Sequence, residues 1–301
     1  MPLEYTNEPE RSTDDLIVRK DKPFNAEPKV NLLVQNYVTP DPLFFHRNHG
    51  PIPDIDIETH KIEIKGELAN PLELTVKDLK TRFNKRSVMA TIQCAGNRRD
   101  GLNKVKKTNG VVWGPGAIGN AVYTGCLLRD VLHAAGVTSY PNEIIKLHAA
   151  FESVEQCEES KNYGSSIPLE KAMDEFGDVL LAYDMNGKPL TRDHGYPIRV
   201  VVPGYIGARS VKYLKRIIVQ NHESDAYFQQ RDYKILPFND HAMFEVMRYL
   251  GVGDPFKEST YLQMMGKPGL QPIYTNPVVE VLGRGLGAYG PHNYMLPTNE
   301  S

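Results

Sequence analysis

Six short apolar runs rich in β-branched residues punctuate the chain: KIEIKGEL (61–68), SVMATIQC (87–94), EIIKLHAAF (143–151), DVLLAYD (178–184), YPIRVVVP (196–203) and KRIIVQ (215–220). Between them lie stretches with helical spacing, VKDLKTRF (76–83), CLLRDVLHAAG (126–136, closed by Gly136) and PLEKAMDEF (168–176). Runs this short cannot hide an apolar face alone, so they must pair into sheets that the helices cover. The expected class is therefore a mixed α+β domain. Residues 1–40 are polar and Pro-rich and read as an extended N-terminal arm, with the ordered part beginning near LFFHRNHG. After about residue 236 the pattern changes to a helical HAMFEVMRYL (241–250) and then to scattered Gly and Pro. The organisation expected is an arm (1–40), one domain (41–236) and a short atypical C-terminal tail (237–301).

Size allows such a core: the chain has 301 residues, 41% of them hydrophobic. The net charge of −2 excludes a global field toward nucleic acid or an anionic membrane, so any attraction for anions must be local. Three cysteines, Cys94, Cys126 and Cys157, are too few and too far apart for a disulfide framework and point to a reducing compartment. The N-terminus lacks an apolar leader core, no apolar stretch approaches a membrane span, and the final TNES matches no sorting signal. An intracellular protein is expected, with cytoplasm, peroxisome and mitochondrion left open.

Two stretches match a dinucleotide fingerprint literally, GPGAIG (114–119) and GLGAYG (285–290). The first carries a proline inside the turn and the second runs into Pro291, where a phosphate-binding helix should open; both read as loop glycines. Cysteines 32 and 31 residues apart, with no CxxC or HExxH, argue against structural zinc. The stretch TIQCAGNRR (91–99) is different, because a cysteine closes an apolar run and two arginines follow at once. A thiolate is a soft ligand for a transition metal, and guanidinium groups offer planar forks for oxyanions. Arg98, Arg99, Lys104, Lys106 and Lys107 against the single acid Asp100 make a positive lip. On composition alone, a buried inert Cys94 beside a solvated basic loop, or a hydrolytic Cys/His dyad, stays open.

TIQCAGNRR, with LFFHRNHG, LLAYDMNG, RDHGYPIRVVVPGYIGARSVKYL and QQRDYK, resembles the eukaryotic sulfite oxidase family of molybdenum enzymes, from about residue 40 to about residue 236. The resemblance implies a mixed-sheet molybdopterin-binding fold and a molybdenum–molybdopterin cofactor. Cys94 matches the protein ligand to molybdenum. Arg47 and Arg99 match arginines of the oxyanion pocket, Trp113 its aromatic wall, and Tyr233 the tyrosine beside the metal centre. His46, Arg47, Asn48, His49, His194, Arg199, Ser210, Val211 and Lys212 match the cofactor's contacts, with Glu155 where the family has an aspartate. Independently, Arg199, Arg209 and Lys212 are the donors that a terminal phosphate requires.

The implied reaction is oxidation of sulfite to sulfate. Nitrate reductases share the domain, but QRDYK is a sulfite-oxidase spelling, and Tyr233 stands where the reductases carry asparagine. With neither a haem module nor a flavin domain read in the sequence, electrons are expected to pass to an external acceptor. The expected partners are a small oxyanion, that acceptor and a second copy in a homodimer, with no nucleic acid and no membrane. Asn109 replaces a lysine that the family carries near the substrate channel. Residues 237–301 are also too short for the family's Ig-like dimerisation domain of about 100 residues. Two other readings accompany the sulfite one: a nitrate-reducing molybdenum domain, and a non-catalytic molybdopterin-binding protein.

Overall fold

The computed structural model describes residues 3–104, 107–137 and 147–233. The chain opens with an antiparallel hairpin, β1 (Leu16–Lys20) and β2 (Asn25–Pro28), and a short α1 (Val30–Leu33). Two five-stranded sheets follow. The first has the order β4 (Leu72–Thr75), β3 (Lys61–Gly66), β12 (Leu214–Gln220), β7 (His148–Ser153), β8 (Gly164–Pro168). The second runs β10 (Lys188–Pro189), β9 (Leu180–Met185), β6 (Ile118–Leu127), β5 (Arg86–Gln93), with β11 (Arg199–Val201) also paired to β9. Only β12 and β3 are parallel within these two sheets, which makes the first one mixed.

The helices α2 (Val76–Arg82), α4 (Leu128–Ala134) and α5 (Leu169–Met173) pack into a core shared with the inward side chains of both sheets, including Ile62, Ile64, Leu79, Val131, Leu169 and Ile217. A short α3 (Arg99–Asn103) lies apart from it. The central strand β9 of the second sheet is buried on both faces. Along β9, Leu181 and Tyr183 join the main core while Leu180 and Ala182 join a smaller one with Phe44, Phe45, Ile92 and Trp113. Period-two alternation with two apolar sides explains why DVLLAYD reads as a continuous hydrophobic run. Start signals are local: Thr75 Oγ1 accepts from the Asp78 amide at 3.1 Å while the Asp78 carboxylate accepts from the Thr75 amide at 2.9 Å, a capping box that opens α2.

Two expectations change. The stretch CLLRDVLHAAG is not helical from its start, because Cys126 and Leu127 complete β6, a ten-residue strand, and the helix begins at Leu128. β6 was illegible because Gly119, Asn120 and Gly125 break its pattern, whereas pairing with β5 on one side and β9 on the other satisfies its backbone. The N-terminal segment also differs from a free extended arm. Phe24, Asn25, Ala26 and Glu27 are buried, and Ala26 exchanges both backbone hydrogen bonds with His46 at 3.0 and 2.8 Å. Several of its polar residues, Asn25 and Glu27 among them, find partners across the fold as well as within the hairpin, so their sequence reads as solvated. Among the described residues no helix is long and apolar enough to cross a membrane. The tail at 237–301, the GLGAYG stretch, Lys106 and the residues around 143–146 lie outside the described residues.

Candidate active site

A cleft of about 620 Å³, counting its open mouth, lies where loops from both sheets converge. Cys94 enters directly after β5, its amide donating to Ala117 O at 2.9 Å and its sulfur accepting from the Gly96 amide at 3.4 Å. Arg47, His49, Glu155, His194, Arg199, Ser210, Lys212 and Tyr233 share the same walls, with Phe44, Phe45 and Ile92 as the apolar part. Nine positions expected from sequence thus line one cavity, although they come from separate stretches of the chain.

Each cation is held by neutral oxygens. Arg199 donates to His194 O at 2.9 Å and to Ser210 O at 3.0 Å. Lys212 donates to Asn48 Oδ1 and to Asp193 O, the latter at 2.8 Å. Burial pushes the Lys212 ammonium down to about 8, with Arg199 and Arg47 adding repulsion and Glu155 opposing it. A buried cation with a depressed pKa binds an anion strongly, because the anion relieves that cost. Glu155 runs the other way: burial raises its pKa, while Lys212 and the amides of His49 (2.8 Å) and Gly50 (3.1 Å) work to keep it charged. Gly50 is required there, since a Cβ would lie 1.7 Å from Gln156 O.

An aromatic group forms the opposite wall. His49 stacks on Tyr163 with centroids 4.4 Å apart, contacts Phe228 at 4.3 Å, and places Nε2 3.2 Å from Tyr233 Oη. Burial, reinforced by the Arg47 and Lys212 charges, holds His49 well below the ordinary imidazole pKa, so the ring is neutral at neutral pH. Burial likewise raises the Tyr233 phenol, against the pull of Arg47, and keeps it protonated. Tyr163, whose hydroxyl donates to Ala208 O at 2.8 Å, and Asp193 also line the cleft and were not singled out from sequence. Asp193 had a signal, its place beside His194 in RDHG; an isolated tyrosine such as Tyr163 has none.

Several expected wall residues stand behind the wall. The Arg99 guanidinium lies over Gly96 and Gly110 and donates to Val111 O at 2.7 Å. Arg98 takes a left-handed conformation (φ 64°) as α3 begins, and this turn carries Arg99 toward Val111 instead of into the cleft. Its charge still reaches Tyr233, whose pKa it helps to lower. Trp113 is fully buried, edge-on to Phe45 with centroids 6.4 Å apart. His46 packs on His194 at 5.2 Å, Asn48 ties Lys212 to the N-terminal hairpin through Phe24 O and Asn25, and Val211 belongs to the main core. Arg209, expected among the phosphate donors, is fully buried and faces away from the cleft.

Do these residues fit the implied cofactor? His194 Nε2 is buried in the cleft wall with no hydrogen-bond partner, while its Nδ1 is taken by Thr191 Oγ1 at 2.7 Å. That ring nitrogen, beside Arg199 and Lys212 on the cleft, can hydrogen-bond a polar ligand there. Among the described residues no three His, Cys, Asp or Glu side chains converge on a metal position. A metal at the Cys94 sulfur would therefore draw its remaining ligands from a cofactor, as a dithiolene provides. The donor set fits.

The family model for the oxidoreductase molybdopterin binding domain matches residues 49–228. Sulfite oxidase of Arabidopsis thaliana is 47% identical over 241 residues, covering 78% of this chain and 61% of that protein. Mitochondrial sulfite oxidase of Rattus norvegicus is 47% identical over 238 residues, 77% of this chain and 43% of its own length. Nitrate reductase [NAD(P)H] of Hordeum vulgare is 43% identical over 218 residues, 71% of this chain and 24% of its own. Among solved structures, the sulfane dehydrogenase SoxCD from Paracoccus pantotrophus superposes with a TM-score of 0.60 at 27% identity, covering 76% of this chain and 55% of that one. The chain spans about three fifths or less of the length of these relatives.

Proposed function

The chain belongs to the oxidoreductase molybdopterin binding family, and on that premise we propose that it oxidises sulfite to sulfate. The observation that carries the reading is the grouping of Cys94, Arg47 and the Tyr233 phenol on one cleft, with Tyr233 in the QRDYK spelling. When bound, a molybdenum–molybdopterin cofactor supplies the two-electron redox and oxygen-transfer chemistry that no side chain performs. Cys94 gives the metal its protein sulfur, and Arg199, Lys212, His194 and Ser210 hold the pterin and its phosphate.

The substrate work falls to the chain's own groups. Sulfite is a small dianion, and Arg47 places a guanidinium at the cleft wall to hold it. Each charge-assisted contact is worth about 1.5 to 3 kcal/mol, enough for one or two to orient the anion. The protonated Tyr233 donates a hydrogen bond toward an anionic oxygen beside Arg47. His49, neutral and stacked on Tyr163, fixes the phenol's direction from behind. Converting one sulfite and one water to sulfate releases two electrons and two protons. The electrons leave to an external acceptor, and the protons leave through the open mouth of the cleft.

Nitrate reduction is the second reading, favoured by the similarity to the Hordeum vulgare enzyme. The two separate on the metal-loaded protein. Sulfite-driven ferricyanide reduction is expected, whereas activity confined to nitrate-driven oxidation of a reduced viologen overturns the sulfite reading. Failure of both with metal bound would leave a cofactor-binding protein without this turnover.

A further inference from the structure

Arg209 sits where a sequence reading expects a phosphate donor, yet its side chain is fully buried and turned away from the cleft. It leaves a short 3₁₀ turn, Gly207–Arg209, whose first two residues line the cavity. From there Nη1 donates to Ser165 Oγ at 2.8 Å and to Gln229 Oε1, and Nη2 donates to Tyr233 O at 3.1 Å. Ser165 Oγ in turn donates to Gln229 Oε1 at 3.0 Å, and the Ser166 amide donates to the same oxygen at 3.2 Å. Arg209, Gln229 and Ser165 are all completely buried.

What these bonds grip is a single π-turn, Phe228–Asp232, closed by the Tyr233 amide on Phe228 O at 3.0 Å. A π-turn is an uncommon backbone geometry and holds only where its surroundings over-determine it. Arg209 binds it at both ends, through the Gln229 side chain near the start and the Tyr233 carbonyl at the finish. Ser165 anchors the same guanidinium to β8. The planar fork of arginine can serve these acceptors together, which a lysine ammonium on a flexible stem cannot. The aligned phenol of Tyr233 and the cavity-lining turn at 207–209 are thereby parts of one rigid unit.

We propose that Arg209 is a positioning residue that sets the Tyr233 phenol at the reacting centre by clamping both ends of the π-turn to β8 and to the cleft wall. The proposal rests on the reading of Tyr233 as a group that acts on the substrate. Its energetic content is directional: a shift of the phenol by about 1 Å costs on the order of a hundredfold in turnover.

The test is a double-mutant cycle in the metal-loaded protein, with a structural probe beside it. Arg209→Lys is expected to lower sulfite turnover by on the order of a hundredfold where Tyr233 is present. In the Tyr233→Phe background the same change is expected to act within about twofold, because the group it positions is gone. An equal loss in both backgrounds overturns the proposal, since a role in general stability would not depend on the phenol. The probe is a fluorotyrosine placed at position 233 alone and read by fluorine NMR, which needs no turnover. Its signal should shift in Arg209→Lys, and an unmoved signal overturns the proposal even if the sulfite reading has itself failed. If Arg209→Lys does not fold, Ser165→Ala removes one tie and carries the test, with a smaller shift expected and an unmoved signal again decisive against it.

Discussion

Tyr233 Oη and His49 Nε2 stand 3.2 Å apart, joined across 184 positions of sequence. The imidazole is neutral, and with its proton on Nε2 it donates to the phenol oxygen and leaves the phenol's single O–H free to donate into the cleft beside Arg47. Tyr233→Phe is expected to lower sulfite turnover by about a hundredfold with the fold intact, the scale for losing one preorganised donor. His49→Phe keeps the stacking on Tyr163 but removes the hydrogen bond that orients the phenol, and is expected to cost about tenfold. Steady-state rates with ferricyanide check both; wild-type turnover in Tyr233→Phe would remove the phenol from the reaction.

Cys94 is the only cysteine of the three on the cleft, since Cys126 closes β6 and Cys157 packs into the main core. Cys94→Ser is expected to retain pterin, because Arg199, Lys212 and His194 are untouched, yet to abolish turnover. X-ray absorption at the molybdenum edge should count one sulfur fewer in the variant than in the parent protein. Equal sulfur counts would refute the ligand assignment.

Lys212 ties cofactor retention to pH. Burial lowers its pKa from 10.5 to about 8, so above that pH the folded protein loses the charge that attracts a phosphate. Retention of pterin through gel filtration is expected to fall between about pH 7 and about pH 9, and Lys212→Met should lose pterin at both. The sign for the cofactor-free fold is opposite. Between about 8 and 10.5 the unfolded chain binds more protons than the folded one, so this lysine makes the fold more stable as pH rises through that window. Retention that is flat across the range would show that the lysine does not face the phosphate.

Glu27 braces the loop behind Cys94 from the N-terminal hairpin. Its carboxylate accepts from the Gly114 amide at 2.7 Å and the Gly116 amide at 2.9 Å, and pairs with Arg19. A Cβ on Gly114 would lie 2.9 Å from that carboxylate, which is why the cradle needs glycine. Glu27→Gln removes the charge and one acceptor, and is expected to destabilise the fold by about 2 kcal/mol. That corresponds to a drop in Tm of about 4 to 8 °C. Calorimetry checks it, and an unchanged Tm would mean that the hairpin does not support the loop.

Much of the site was legible because its chemistry is carried by residue types in short, ordered stretches. LFFHRNHG, TIQCAGNRR, RDHGYPIR and GARSVK bring Arg47, Cys94, His194, Arg199 and Lys212 to one cleft. Arg99 and Arg209 show the limit. Both sit in the right stretch, but a left-handed Arg98 turns one toward Val111 and a 3₁₀ turn points the other into the interior. A motif specifies that a guanidinium is near; the backbone torsions of its own turn specify which way it faces. Tyr163 and the π-turn had no signal, since their contacts run to segments 45 and more than 60 positions away.

GPGAIG marks the same division. The pattern alone offered a phosphate loop or an ordinary turn, and its amides in fact close on the Glu27 carboxylate. Alternating hydrophobicity and capping residues determined by themselves that this chain forms sheets with short covering helices, because period and caps are properties of neighbours in sequence. The pairing of β6 between β5 and β9, the burial of the N-terminal hairpin and the orientation of each cation were decided by the tertiary structure. Buried polar groups must find partners wherever the fold provides them, and those partners lie too far along the chain for any local pattern to record.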